Sequence, residues 1–334
     1  MSVRDEVGRA VVGSAAELIA GATSRAPLDH TDGKSAVPME RVVIDGTSYV
    51  TKAISPRLDW ISRATGDYGC RVLACWRDGI LDALPDCFDH TVVAVAQDQD
   101  SGTTTLLMND VSEWLVPEGD DPVSIEQHHR FLDHMARLHA SFWERTDLPL
   151  LTPMTTRYLT LTPLTSAIEH SLGNDTGVPS MLPGCWDALV AAAPEAGRIA
   201  RQLAADPWPL VSALNSTPQT FIHADWKMGN LGSHPDGRTI LIDWQWPGVG
   251  PGCVDLLWYL AINAARVPET KEAAIATYRE ALERHGVNTS GWFDRQLALA
   301  TLGAFVQLGW NKAGDPTELA WWADQVPAIA SNLL

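Results

Sequence analysis

Apolar and polar positions alternate in different ways along the chain, and the change of period divides it in two. Near the start, Arg4, Asp5, Glu6, Arg9 and Glu17 fall among apolar residues from Met1 to Ala22. That pattern predicts an amphipathic helix and not an export signal, which needs an uncharged apolar core. Val37–Ile44 and Thr47–Ile54 are rich in β-formers and are joined by Asp45-Gly46, a dipeptide that accepts the positive φ of a tight hairpin turn. From Asp67 to Leu84 the apolar residues Val72, Leu73, Cys75, Trp76, Ile80, Leu81 and Leu84 suit one face of a helix, with Gly69 and Gly79 limiting its length. Val92–Ala96 and Thr103–Met108, separated by the polar stretch Gln97–Gly102, read as a second strand pair. The first part of the chain is therefore expected to be a small antiparallel sheet with one helix.

Beyond Asn109 the period becomes helical. Phe131, Met135, Leu138 and Phe142 mark one face of a helix within Val123–Arg145. Residues 146–184 show no clean period, and Pro194 interrupts an alanine-rich stretch, so helices there should be short or begin again at the proline. Phe221-Ile222 and Thr239–Ile242 are short apolar strands around a polar loop. Val254–Ala265, Lys271–His285, Trp292–Asn311 and Thr317–Ser331 are four further helical segments. The expected class is α+β, with a sheet-rich domain at 1–110 and a mostly helical one at 111–334, in keeping with a prior of roughly 150 residues per domain.

Composition narrows the function. Hydrophobic residues make up 46% and charged residues 19% of the 334, as in a folded globular protein, and no apolar run reaches the length of a membrane span. Cys70, Cys75, Cys87, Cys185 and Cys253 form no C-x-x-C pair, which argues against a zinc site or a disulfide framework and fits a reducing cytoplasm. A formal charge of −17 excludes a general nucleic-acid binder. It would favour a cationic small molecule electrostatically, although surface solubility is the simpler meaning of such a charge.

The densest chemistry lies in His223-Ala-Asp-Trp-Lys-Met-Gly-Asn230 and Ile242-Asp243. Phosphoryl transfer needs an acceptor-only group to receive a hydroxyl proton and oxygen ligands for Mg²⁺. Asp225 suits the first task; Asn230 and Asp243 offer a neutral and an anionic oxygen to a hard cation that keeps most of its waters.

These residues resemble the catalytic loop of protein kinases and of the aminoglycoside phosphotransferases and their choline-kinase-like relatives. The resemblance implies a kinase-like two-lobed fold and an ATP-dependent transfer to a hydroxyl. It assigns the catalytic base to Asp225, loop support to His223, a donor toward the transferred group to Lys227, and metal binding to Asn230 and Asp243. Asp255, in Gly252-Cys-Val-Asp-Leu-Leu257, matches the family's structural aspartate. Lys52 occupies the strand position of the lysine that grips nucleotide phosphates, and Leu106–Val111 resembles the hinge, where Asn109, Asp110 and Val111 would hold adenine. Two features depart from the protein kinases. No glutamate occurs between Glu40 and Glu113, so only an aspartate such as Asp59, Asp67, Asp78 or Asp82 is available to pair Lys52. Asp243-Trp244-Gln245 stands in place of Asp-Phe-Gly, and no Ala-Pro-Glu segment follows. A small-molecule acceptor is therefore expected and a protein one is not; a nucleotide-binding pseudoenzyme is the alternative.

Several other features carry less. Gly33-Lys34-Ser35 lacks the first glycine of a phosphate-binding loop, since Leu28 stands there, though the loop His30–Ser35 is placed to cover phosphates. His128, His129, His134 and His139 are expected to be core or surface residues, because a five-residue step turns about 140 degrees around a helix. Most of the fourteen tryptophans should be core, and a minority of them would wall a substrate pocket.

Overall fold

The computed structural model describes residues 10–28, 37–148 and 151–333. The loop His30–Ser35, Gly33-Lys34-Ser35 and the first nine residues of the expected N-terminal helix lie outside them. The chain forms two compact units: Met1–Glu118 with Met228–Gln245, and Gly119–Lys227 with Trp246–Leu334. A single cut at 110/111 is thus not how the units divide, because residues 228–245 return to the first one.

The first unit is built on a six-stranded sheet. Its strands are β1 (Val11–Val12), β2 (Ala22–Pro27), β3 (Met39–Ile44), β4 (Thr47–Ile54), β6 (Val92–Gln97) and β7 (Thr104–Asn109), with the short β5 (Phe88–Asp89) outside it. Their order is β1-β6-β7-β4-β3-β2, and all pairs are antiparallel except β1 with β6. The hairpin forms as its sequence demands: Asp45 and Gly46 both take positive φ, 49° and 78°, the pair required by a primed turn. Lys52 faces Met39 on one side and Leu106 on the other, so it sits on an interior strand and is 6% exposed. Ile19, Val42 and Leu107 form a core against the sheet, with Leu18, Ala22, Ile44, Tyr49, Val93 and Ala94 packed around them.

Three elements differ from the expectation. The described part of Met1–Ala22 is a strand, Val11–Val12, followed by the short helix Ala15–Leu18, whose N-terminus is capped by Ser14. Two β-branched residues before a glycine and an N-cap residue favour that break over a continuous helix. The helix expected over Asp67–Leu84 spans only Arg71–Arg77, because the Asp67 carboxylate accepts from the Arg71 N–H and Gly79 turns to φ 68°. A separate helix, Trp60–Ala64, begins at Asp59, whose carboxylate accepts from the N–H groups of Ile61 and Ser62.

A second, three-stranded sheet explains why 228–245 belongs to the first unit. β5 pairs in parallel with Thr239–Leu241, which pairs antiparallel with Leu231–Ser233. Gly232 passes so near Trp114 that an added Cβ would lie 2.6 Å from its carbonyl oxygen, a space only glycine fits.

The second unit is mainly helical. Ile125–Ser141, capped by Ser124, packs against Lys271–Arg284, and Gly252–Ile262 packs against Phe293–Leu308. Gly252–Ile262 is buried over nearly its whole length. Pro194 starts a new helix, Pro194–Ala205, after Gly177–Ala192, and the segment Thr317–Ser331 divides into Pro316–Ala323 and Val326–Ser331. One short strand pair remains here, Thr220–Ile222 with Gly248–Gly250, and it leads directly into His223. No helix among the described residues is long and apolar enough to cross a membrane.

Candidate active site

The strand Thr220–Ile222 ends at His223, and the chain then turns at Ala224 with φ 71°, an uncommon conformation for a residue with a Cβ. Its neighbours hold that turn in place. The Asp255 carboxylate, in the first turn of the Gly252–Ile262 helix, accepts from the backbone N–H of His223 (2.9 Å) and of Ala224 (2.7 Å). On its other side Arg157 donates from Nη1 to the Ala224 carbonyl at 2.7 Å. Both backbone polar groups of Ala224 are therefore bonded to buried ionic side chains.

Asp255 is itself fully buried, and His139 Nε2 lies 3.3 Å from it while His139 Nδ1 lies 2.6 Å from the Tyr278 hydroxyl. Burial alone would raise the Asp255 carboxyl. The hydrogen bond and charge of His139, with the charges of Arg157 and His223, hold it below the ordinary value. A carboxylate kept ionised in the interior anchors the loop.

The loop presents Asp225 beyond this anchor. Its N–H donates to His223 Nδ1 at 3.2 Å, which makes that ring nitrogen an acceptor and assigns the proton of a neutral imidazole to Nε2. Asp225 Oδ1 accepts from the indole N–H of Trp258 at 3.1 Å, and Lys227 Nζ lies 3.8 Å from Oδ2. The side chain of Asp225 retains 19% exposure. Trp226 is buried, and its carbonyl accepts from Asn263 Nδ2.

The first unit carries the other group. Asn230 ends a short 3-10 turn, is 3% exposed, and accepts at its carbonyl from the Ile242 N–H at 3.0 Å. That bond sets Asn230 beside the strand end that leads to Asp243, where φ is 66°. Asp243 Oδ1 is 2.8 Å from Lys52 Nζ, with the lysine side chain 8% and the aspartate 25% exposed. The partner of Lys52 is therefore Asp243. Asp59 instead bonds Ile61, Ser62 and Gln245 Nε2, and Asp67 caps the Arg71–Arg77 helix. Trp244 is buried with its indole N–H on the Leu241 carbonyl.

Residues 182–292 match the model of the phosphotransferase enzyme family. Over this segment, about a third of the chain, the sequence is similar to that family. The match spans His223, Asp225, Lys227, Asn230, Asp243, Asp255 and Trp258, and leaves Lys52 and Arg157 outside. No curated protein sequence matches the chain. Among solved structures, choline kinase LicA from Streptococcus pneumoniae is 11% identical, with 95% of each chain covered and a TM-score of 0.50. A putative aminoglycoside phosphotransferase from Ralstonia eutropha is 14% identical over 96% of this chain and 97% of its own, with a TM-score of 0.49. The likeness to the choline kinase shows the fold, which is the kinase-like α+β fold.

The residues of the expected hinge are held structurally. The Asn109 N–H donates to the Thr91 carbonyl, and Val111 is buried. Asp110 accepts from Arg41 Nε (2.7 Å), Ser48 Oγ (2.8 Å) and Ser112 Oγ (2.5 Å). Burial pushes its carboxyl up, but these bonds prevail and hold it at about 2. Its side chain thus ties the end of β7 to β3 and β4. The histidines of Ile125–Ser141 are also engaged: His128 and His129 both meet Glu269, and His128 meets the Tyr259 hydroxyl. Burial pushes His134 down to about 4.

Two residues that no motif marks bear on Asp225. Arg157 lies in the stretch without a clean period, and nothing local marks it. Trp258 is one of fourteen tryptophans of which most are expected in the core and a minority in a pocket wall. Its spacing from Asp255, three residues along one helix, is the signal that places both on the face meeting the loop.

Proposed function

We propose that this protein transfers the γ-phosphoryl group of ATP to a hydroxyl of a small molecule, with Asp225 as the base. The observation that carries this reading is the fixing of Asp225: its loop is locked by Asp255 and Arg157, and its Oδ1 is held by Trp258 while the carboxylate stays partly exposed. The acceptor proton passes to Asp225 Oδ2 as the hydroxyl oxygen bonds to phosphorus and the bond to ADP breaks. Lys227, 3.8 Å from that oxygen, adds positive charge near it. His223 receives the Asp225 N–H and so sets the direction in which the carboxylate leaves the backbone. Such a base contributes about 10²–10⁴-fold.

In the first unit Lys52, Asn230 and Asp243 are the groups for the nucleotide. Asn230 and Asp243 fit Mg²⁺ by their chemistry, an amide oxygen and a carboxylate for a hard cation whose other ligands are water and phosphate oxygens. Bound there, the ion would offset the charge on the phosphate oxygens. Asn109, Asp110 and Val111 remain the proposed adenine contacts, through backbone atoms. The free cysteines accord with work in a reducing cytoplasm.

The test is Asp225→Asn. Turnover of ATP with an accepted alcohol should fall about 10²-fold or more with ATP affinity unchanged. Turnover close to that of the parent protein would remove Asp225 as the base. One observation favours a second reading, a nucleotide-binding protein without transfer: Lys52 and Asp243 are already paired with each other. Metal-dependent ATP binding, with no phosphorylated product from any hydroxyl compound offered, would support that reading.

A further inference from the structure

Arg157, on the Met154–Thr160 helix, is 3% exposed and uses only part of its hydrogen-bonding capacity. Nη1 donates to the Ala224 carbonyl, whereas Nε and Nη2 are buried and have no hydrogen-bond partner. Those two nitrogens form one edge of the guanidinium, the fork whose parallel N–H bonds meet a two-oxygen acceptor side-on. Arginine does not lose its proton to escape the cost of burial, so an unmet fork is costly.

The fork is not isolated. The guanidinium lies 5.0 Å from the ring of Trp258 and 5.9 Å from that of Trp246, and the Trp246 indole N–H is also buried without a partner. Trp246 and Trp258 meet edge to face at 5.8 Å. Trp258 in turn donates to Asp225. A connected patch beside the proposed base thus holds three unmet donors: Nε and Nη2 of Arg157 and Nε1 of Trp246. The nearby carboxylates are occupied elsewhere. Asp255 accepts from His223, Ala224 and His139, and Asp225 Oδ1 accepts from Trp258.

Resting on the phosphotransfer reading above, we infer that the acceptor alcohol carries an anionic two-oxygen group, a carboxylate or a phosphate, which Arg157 grips side-on with Trp246 as a third donor. The Asp255 and Asp225 carboxylates offset part of its charge, so the selection lies in the unmet N–H fork, which offers donors only and thus suits a two-oxygen anion and not an ammonium group. The acidic composition pointed the other way, toward amines. The net charge belongs to the whole surface, whereas the choice of acceptor is made by the few groups beside Asp225.

Binding and chemistry are tested separately. In the full chain with Mg²⁺ and ADP, the Trp246 indole N–H resonance is followed while acetate, inorganic phosphate or ethylammonium is added. A saturable shift with acetate identifies a carboxylate site and one with phosphate a phosphate site, while ethylammonium should cause none. Arg157→Lys keeps the charge but loses the fork, and should weaken anion binding about tenfold or more. If that variant does not fold, Trp246→Phe is compared with the parent protein by the rise of Tm on adding the same anion, which should shrink. No saturable shift with either anion means that the donors are met by solvent, and overturns the proposal. Undiminished anion binding in Arg157→Lys does the same. Turnover is then compared for glycerate, glycerol 3-phosphate, glycerol and 2-aminoethanol. Preference for an anionic alcohol supports the proposal, and preference for 2-aminoethanol overturns it. Anion binding without any phosphorylated product counts against the phosphotransfer reading and leaves the Arg157 site standing.

Discussion

At the residue scale, two aspartates do different things because of what surrounds them. Asp255 has no exposure and has its oxygens filled by backbone and histidine donors, so it is a fastener. Asp225 has one oxygen bonded by Trp258 and a partly exposed carboxylate, which suits the proposed base. Trp258→Phe separates positioning from packing, since the ring stays over Arg157 while the N–H is lost. It should lower kcat by about tenfold, the worth of one hydrogen bond of roughly 1.4 kcal/mol, and leave the KM for ATP unchanged. Steady-state kinetics with ATP varied reads this directly; an unchanged kcat would mean that the indole serves only the core. Lys52→Met removes the partner of Asp243 in the first unit and should weaken ATP binding by at least about tenfold, as calorimetry would show, with Asp225 unaffected.

At the element scale, the loop that carries Asp225 follows a short strand end fastened to a helix start, and its stability should depend on that fastening. Asp255→Ala leaves the His223 and Ala224 N–H groups unpaired in the interior and should cost about 3–5 kcal/mol in denaturant unfolding. Asp255→Asn keeps the shape and should cost less. The end of β7 offers a pH-dependent test. Asp110 sits at about 2 in the folded protein, below its ordinary 3.8, so its bonds contribute stability that is fully present above about pH 4. That contribution is lost as pH falls toward 2. The stability gap between the parent protein and Asp110→Asn should therefore be constant near neutrality and close across that acid window. A gap that widened on acidification would contradict the assignment.

At the scale of the whole molecule, the charge of −17 and the Arg157 site act in opposite directions on an anionic acceptor. Long-range repulsion is screened by salt, while a buried contact is screened far less. Raising ionic strength over the sub-molar range should thus lower the KM for an anionic alcohol. A rise would instead indicate a cationic one.

The hairpin at Asp45-Gly46, the strand pair β6–β7, the helix Ile125–Ser141 and the spacing of His223, Asp225, Asn230 and Asp243 were all legible in the sequence. Each is fixed by local rules: a turn that needs positive φ, a period of two or of 3.6, and a fixed order of chemical groups along the chain. The short β2 was not legible, because its exposed, polar residues take strand form only by pairing with β3. Nor was the return of 228–245 to the first unit, which depends on β5 and on the close passage of Gly232 by Trp114. The partner of Lys52 came from 191 residues away and not from the nearby aspartates. Arg157 gave no local sign at all. The sequence by itself determined which residues are candidates to hold a proton, a metal ion and a phosphate, because that follows from side-chain chemistry and spacing. Only the tertiary structure decided which carboxylate is spent as a fastener, which lysine meets which acid, and which guanidinium edge is left without a partner, because burial and long-range contact settle those.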